Sequence, residues 1–474
     1  MAVTSGVSEG VRFAWSEELV GSRVGYYPRE EGNRVQPHSE RYWATVETLP
    51  RERLEEIQLR RLQTLLQHTQ ANSAFYQRLW KSAGVVAEDV QRLEDLQAFP
   101  IVTKEHFDRD QREHPPFGSA WTVPPNEQMK VWQTSGTSGP PRLWVETKED
   151  WENNMYLYAR ALYAHGVRPG WRAYSAFSYP PFIAFWLAHY ASEMMGCQVV
   201  PKGALPTQVW LSVMQRLAGT APAFMWATPT YAQRQIEVAA QMGLDPKTLG
   251  IKLLSLAGEP GACVPATKSA LESAWGAVVH DVMGATESSG PILFTCEAQA
   301  ALPRPSDHAT VDYLIVEVLD LATHQPVPEG EYGALCVTAL GRSGTPAVRF
   351  LLNDYVRLIW DACPCGRTLP LVTGGIHSRA DDMLIIKGVN VYPSLIENIV
   401  RSVKGLGTEY LIVRGEGSAV VRVEAVSEVS ADVYQALAAE VQAQIRAGTT
   451  LSLPVEVLAP GALPRSETKT KRIQ

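Results

Sequence analysis

Residues 363–393, CPCGRTLPLVTGGIHSRADDMLIIKGVNVYP, bring a paired-cysteine knuckle, an Arg-x-Asp-Asp run and a glycine turn into one stretch. This is the pattern of a junction between two domains. Arg379 offers a fork of donors suited to a phosphate or ribose oxygen, and Asp381-Asp382 stands before the apolar strand MLIIKGVNVY. A polar pair in front of a strand is equally the mark of an ordinary solvated turn, so the run takes its meaning from its surroundings.

Downstream, the pattern predicts a strand, a helix over 394–403, two strands over 410–414 and 419–425, a helix over 431–447 and a strand near Val455. That is a compact α+β domain. Upstream, after Val131, short apolar runs such as AYSAFSY, CQVVP, AFMWATP and IKLLSLAG alternate with helical stretches, the βα rhythm of a layered α/β domain. Residues 311–360 change to DYLIVEVLD, YGALCVTAL and YVRLIW, a β-rich lobe with turns at Pro328-Glu329-Gly330 and Gly341. Nearer the start, Leu54, Ile57, Leu62, Leu65 and Leu66 share one helical face, followed by Phe75, Tyr76 and Trp80, and residues 1–40 form a loose polar arm. The expected fold is α/β: a large N-terminal layered domain with a β-rich lobe over 1–380, and a small C-terminal α+β domain over 381–474.

A chain of 474 residues exceeds what one core usually organises, in keeping with that division. Its 43 basic and 50 acidic side chains leave a net charge of -7, which gives no footprint for nucleic acid or an anionic membrane and points to small-molecule partners. The N-terminus lacks the apolar core of a secretory signal, and the most apolar segment, 182–188, is too short to span a bilayer, so a cytoplasmic protein is expected. In that reducing compartment, close cysteines such as Cys363 and Cys365 read as metal ligands or buried thiols.

Several segments carry residue types suited to nucleotide chemistry. Thr134, Ser135, Gly136, Thr137, Ser138 and Gly139 form a hydroxyl- and glycine-rich turn after the apolar MKVW. Such a loop can wrap phosphate oxygens, because glycine lets the backbone approach closely; it lacks the Gly-Lys-Ser/Thr ending of a Walker loop and is also a common linker composition. Ala257-Gly258-Glu259-Pro260 and Met283-Gly284-Ala285-Thr286-Glu287 both close predicted strands, at the carboxyl ends where open α/β sheets bind ligands. Thr286 can donate to phosphate, and Glu287 can hold a phosphate-bridging Mg²⁺. Asp354, between two apolar runs, can accept both hydroxyls of a ribose. Lys469, in the polar tail PRSETKTKR, taken alone is a solvated charge.

Taken in order, TSGTSGPPR at 134–142, MGATE at 283–287, Asp354, SRADDMLIIKGVNVYP at 378–393 and PRSETKTKR at 464–472 resemble the adenylate-forming superfamily. Within it the chain resembles the phenylacetate–CoA ligase branch, through ETLPRERLEEIQLRRLQ at 47–63, AFYQRLWKSAG at 74–84, LEDLQAFPIVTKE at 93–105 and CPCGRT at 363–368. The resemblance implies that an acid and MgATP give an acyl-adenylate and pyrophosphate, after which a mobile small domain rotates and a thiol, usually CoA, takes the acyl group. It implies that Thr134 to Gly139 hold the leaving phosphates, and that Glu259 and Pro260 lie beside the adenine with Met283 and Gly284. Glu287 would bind Mg²⁺, Asp354 the ribose and Arg379 the ribose-phosphate; Asp381 matches the hinge. Lys469 matches the lysine that bridges carboxylate and α-phosphate in the first step only.

Three positions depart from the family pattern: Met283 stands where an adenine-stacking aromatic is usual, Ser378 replaces a glycine before the arginine, and Thr468 a glycine before the lysine. Cys363 and Cys365 supply two thiolates, and a structural zinc needs four ligands; the branch offers Cys296 and His308 as the matching partners. The implied acyl pocket draws on Tyr174, Phe177, Tyr179, Pro180, Phe182, His189, Thr228, Tyr231, Ala257 and Gly258, apolar and aromatic walls that suit a flat aryl acid of the benzoate, anthranilate or phenylacetate class. The leading expectation is an ATP- and CoA-dependent aryl-CoA ligase, a homodimer as the branch resemblance implies. A ligase that loads the phosphopantetheine of an acyl carrier protein in secondary metabolism, and a degenerate nucleotide-binding module, are the alternatives.

Overall fold

Five consecutive residues, Ala223 to Ala227, are all buried, and they alternate between two separate hydrophobic clusters. Phe224 and Trp226 face one; Ala223, Met225 and Ala227 face the other. Since successive side chains of a strand point to opposite faces, this strand lies inside a sheet covered on both sides, the arrangement of layered α/β proteins. The computed structural model describes residues 37–134, 141–259, 261–288, 290–379, 384–386, 389–391, 393–415, 418–449, 451–464 and 472–474.

The described chain opens with helices α1 (Arg51–Asn72), α2 (Ala74–Ala83) and α3 (Lys104–Glu113), then the hairpin of β1 (Gln128–Gln133) and β2 (Leu143–Thr147). The layered core follows as α4 (Lys148–Ala164), β3 (Arg172–Ser175), α5 (Ile183–Met194), β4 (Gln198–Pro201), α6 (Thr207–Leu217), β5 (Ala223–Ala227), α7 (Pro229–Gln241), β6 (Ile251–Ala257), α8 (Pro265–Trp275) and β7 (Val278–Ala285). Strands β8 (Gly290–Phe294), helix α9 (Glu297–Ala300), β9 (Asp307–Ala309), β10 (Leu314–Leu319), β11 (Tyr332–Ala339), β12 (Phe350–Ile359), β13 (Leu371–Val372) and β14 (Ser378–Arg379) complete the large part. One sheet runs in the order β10-β11-β12-β13-β9-β8-β7-β6-β5-β3-β4, with β14 also on β12. Strands β3 to β7 pair in parallel, and from β7 to β8 onward the pairing is antiparallel. The β-rich lobe expected over 311–360 is thus continuous with the central sheet through β12.

The predicted apolar face of α1 is buried as expected at Leu54, Ile57, Leu62, Leu65 and Leu66. Each such large apolar side chain contributes about 1.5–3 kcal/mol by leaving water. Inside the same cluster, Arg160 of α4 grips Asp312 with two hydrogen bonds of 2.8 and 2.9 Å, both side chains being buried. Asp312→Ala would strand that guanidinium without its counter-charge, at a cost of about 3–5 kcal/mol. The urea midpoint is expected to fall accordingly with an unchanged m value; a shift no larger than that of a surface substitution would contradict this.

The C-terminal part contains β15 (Leu384–Ile386), β16 (Val389–Val391), α10 (Pro393–Ser402), β17 (Leu406–Gly415), β18 (Ser418–Ala425), α11 (Ala431–Thr449) and β19 (Val455–Leu458). From α10 onward the order matches the sequence expectation; before it, the single strand expected over MLIIKGVNVY is a hairpin of the two short antiparallel strands β15 and β16. β17, β18 and β19 form a three-stranded sheet, and a hydrophobic cluster from Leu384 to Ile473 packs within this part alone. Among the described residues, no helix is long and apolar enough to cross a membrane.

Candidate active site and metal centre

The hydroxyl-glycine loop grows from the β1–β2 hairpin, and its neck is tied shut. The Thr134 amide donates to the Arg142 carbonyl at 3.0 Å, and the Arg142 amide donates to Thr134 Oγ1 at 3.0 Å. One residue earlier, the Gln133 amide donates to the Pro181 carbonyl at 3.0 Å, joining this neck to the turn before α5. Arg142 pairs with Asp108 at 3.0 Å and stands 4.0 Å from Glu287, itself buried. The neck of the loop at Arg142 and the MGATE turn at Glu287 are therefore neighbours, although they are distant in sequence.

The MGATE turn is built around a position that only glycine fits: a Cβ on Gly284 would stand 2.8 Å from the Gly290 carbonyl oxygen of the paired strand. Arg342 supports the turn from below. Its guanidinium donates to the Thr286 carbonyl at 2.8 Å and to the Thr345 carbonyl at 2.7 Å, pairs with Glu146 at 3.4 Å and lies over the Trp144 ring at 4.8 Å. Met283 is buried in the large cluster beside it.

Asp354 and Arg379 come together across β12 and β14, where they are direct backbone partners and their side chains pair at 3.3 Å. Asn353, just before the aspartate, is left-handed at φ 63°, a conformation asparagine tolerates better than most residues. Glu259 serves a different end: its carboxylate accepts the Thr230 amide at 2.8 Å, satisfying a free donor in the first turn of α7, and burial raises its pKa. Beside it Gly258 is left-handed at φ 93° and Ala257 is half-buried. Thr228 caps the same helix by accepting the Tyr231 amide.

The aromatic residues expected on an acyl wall divide into two groups. Phe177 stacks on Phe185 at 4.2 Å, and Phe182 meets Phe185 edge-on at 6.0 Å. Tyr179, left-handed at φ 57°, donates to His189 Nδ1 at 2.8 Å, while His189 Nε2 faces Glu193 at 3.1 Å. Trp186 reaches the Pro180 carbonyl at 3.1 Å, so the turn 177–182 is fastened to α5 at both residues. Tyr174 and Tyr231 correct the sequence expectation. Tyr174 is buried edge-on to Trp210 at 5.8 Å, and the Tyr231 hydroxyl is paired with Thr207 at 3.0 Å; both belong to the cluster on the other face of the sheet.

Cys296, His308, Cys363 and Cys365 converge from the start of α9, from β9 and from the β12–β13 loop, with their donor atoms all within 4.8 Å of one another. The Cys296 and Cys363 sulfurs are 3.7 Å apart, and Cys365 Sγ is 3.4 Å from His308 Nε2. A tetrahedral ion with Zn–S bonds of ~2.3 Å would set two sulfurs about 3.8 Å apart, so the donor set fits without rearrangement. The surroundings suit a metal as well. His308 Nδ1 faces the Leu369 carbonyl at 3.3 Å, which fixes the tautomer and leaves the Nε2 lone pair for an ion, and the Arg367 amide donates to Cys365 Sγ at 3.4 Å. Gly366, left-handed at φ 86°, turns the knuckle where a Cβ would strike the Tyr42 hydroxyl at 2.4 Å.

Ser135, Gly136, Thr137, Ser138, Gly139, Pro260, Asp381 and Lys469 lie outside the described residues. Sequence reasoning missed Arg342 and Glu146, which hold the MGATE turn and the β1–β2 hairpin together; the Gly341-Arg342 pair carries no signal beyond a turn. It also missed Glu397 and Arg472 in the C-terminal part.

The sequence profile of the family described as AMP-binding enzyme matches residues 54–341, and that of the AMP-binding enzyme C-terminal domain matches 388–474. The phenylacetate-coenzyme A ligase of Thermus thermophilus is 33% identical over 90% of this chain and 97% of its own length. That of Escherichia coli K12 is 29% identical over 90% and 96%. Among solved structures, 2-hydroxyisobutyryl-CoA ligase in the postadenylation state with 2-HIB-AMP superposes with a TM-score of 0.86, at 31% identity over 92% of this chain and 93% of that one. The same ligase in the thioesterification state, with 2-HIB-AMP and CoA, gives 0.69 at 32% identity over the same shares. The chain thus belongs to the AMP-binding enzymes, the adenylate-forming superfamily, in its phenylacetate–CoA ligase-like branch.

Proposed function

We propose that this chain is an ATP-dependent, AMP-forming ligase that joins an aryl acid to coenzyme A through an aryl-adenylate. The observation that carries the reading is the approach of Arg142, at the tied Thr134–Arg142 neck, to buried Glu287 of the MGATE turn, two motifs distant in sequence; the Asp354–Arg379 pair of β12 and β14 supplies the ribose and phosphate partners of the same reading. In the first half-reaction, attack of the carboxylate on the α-phosphate is opposed by like charge. Thr134 and the loop that follows hold the leaving phosphates, Asp354 takes the ribose hydroxyls, and Arg379 and Lys469 stabilise charge where it develops. Glu287 would hold Mg²⁺, which neutralises phosphate charge when bound. In the second half-reaction a thiol displaces AMP from the acyl carbon. The stacked Phe177–Phe185 pair, with Ala257 packed on the same large cluster, offers flat apolar surface that supports a benzoate-sized acid. Cys296, His308, Cys363 and Cys365 would hold a structural zinc, which would tie the β8–α9 turn to the β12–β13 loop away from the chemistry.

The test is acid-dependent pyrophosphate release with MgATP across aryl and aliphatic acids, with and without CoA, followed by mass analysis. Release with one or two aryl acids and an aryl-CoA product is expected. Release confined to aliphatic acids would refute the aryl assignment, and release without acylated CoA would shift the acceptor to a carrier protein.

A further inference from the structure

The C-terminal part meets the large part through side chains that the scheme above does not use. Glu397, buried on α10, accepts a hydrogen bond from Thr267 Oγ1 of α8 at 3.4 Å through one carboxylate oxygen, and from the Tyr410 hydroxyl of β17 at 3.2 Å through the other. The Tyr410 ring lies beneath Arg472 at 4.7 Å, and the Arg472 guanidinium is tied to Glu409 at 2.6 Å and to the Tyr410 carbonyl at 3.2 Å. Residues 472–474 are fixed in turn along β17. The Ile412 amide donates to the Arg472 carbonyl at 2.8 Å, the Gln474 amide to Ile412 at 3.0 Å and the Arg414 amide to Gln474 at 2.7 Å, and Ile473 is buried in the C-terminal cluster. A second crossing joins Thr408 Oγ1 to Glu237 of α7 at 3.0 Å.

These contacts make one connected path from α8, through Glu397, Tyr410 and Arg472, to a point three residues after Lys469. Three residues span at most ~11 Å of chain, so an anchor at Arg472 lies close along the chain to the lysine motif. The arrangement in which the path exists superposes much better on the postadenylation state of the hydroxyisobutyryl ligase than on its thioesterification state, at nearly equal identity. The Thr267–Glu397 crossing is part of the arrangement that gives the higher of the two scores.

We propose that Glu397 is a positioning residue for adenylate formation: through Thr267 on one side and Tyr410–Arg472 on the other, it docks the C-terminal part and its lysine segment for the first half-reaction only. The inference rests on the ligase reading and on Lys469 acting in that step. Glu397→Gln keeps the shape and removes the charge. It is expected to slow acid-dependent ATP–pyrophosphate exchange by roughly 10–10²-fold, the scale of a hydrogen bond to a charged group, while thioester formation from synthetic adenylate stays within about twofold. Thr267→Val, which removes only the crossing donor, should reproduce the split and add little in the double variant, and it stands in if Glu397→Gln does not fold. Equal loss in both half-reactions overturns the proposal. Hydrogen exchange needs no acid: with MgATP alone, amides of α8 and α10 should exchange about tenfold faster in the variant while β18 and α11 are unchanged, and unaltered exchange in α8 and α10 also overturns it. A wild-type enzyme silent with every acid would sink the ligase reading, leaving the exchange result to judge Glu397.

Discussion

Lys469→Ala is expected to lower adenylate formation by about 10²–10³-fold, the usual loss for one electrostatic donor at a reacting centre, and to leave thioester formation from preformed adenylate largely intact. The asymmetry follows from charge. In the first step two anions must approach, and a lysine that bridges the carboxylate and the α-phosphate neutralises repulsion that exists only there. In the second step the acyl carbon already carries a good leaving group, and the same ammonium has nothing comparable to stabilise. Single-turnover assays that start from acid plus MgATP, and separately from synthetic acyl-adenylate plus CoA, measure the two steps apart. Equal losses in both would remove Lys469 from the assigned role.

Cys363→Ser should have the largest effect on stability. Apparent zinc-binding energies of about 10–16 kcal/mol in small metal sites are comparable with the whole net stability of a domain, about 5–15 kcal/mol. Losing one of four converging ligands is therefore expected to bring zinc well below one per chain and to leave little folded large domain at physiological temperature. Cys197→Ser makes the control, because that buried thiol lies outside the four-residue group. Chelator-free wild-type protein with well under one zinc per chain, or a Cys363→Ser variant that melts like wild type, would contradict the metal assignment.

Most of the architecture was legible in the sequence, because helices and strands announce themselves through local periodicity. The order from α10 to β19 follows directly from apolar spacing. The paired cysteines declared themselves by spacing, while Cys296 and His308 could be joined to them only through the family likeness. What periodicity could not supply was direction. In a sheet covered on both faces, an apolar strand does not tell which of its side chains face which layer, and so Tyr174 of β3 read as a pocket wall although it packs edge-on against Trp210 of α6; Tyr231, on α7, likewise turns its hydroxyl to Thr207 of α6. Glu259 illustrates a second gap: its motif reads as a nucleotide neighbour, and its carboxylate spends itself on the amide of Thr230, a partner that no local pattern reveals. Arg342 was invisible for the same reason, since its contacts at Thr286 and Glu146 are made across the fold.

The hydrogen bond from Gln133 to the Pro181 carbonyl joins the neck of the hydroxyl loop to the turn carrying Tyr179. Two ligands that each act on one end of such a bond form a single thermodynamic system. Whatever factor a bound acid imposes on nucleotide affinity, the nucleotide must impose on acid affinity in return. Discrimination among acids is then a property of the ternary complex, and ranking acids by their affinity for the nucleotide-free protein would measure a different quantity from the one the enzyme uses.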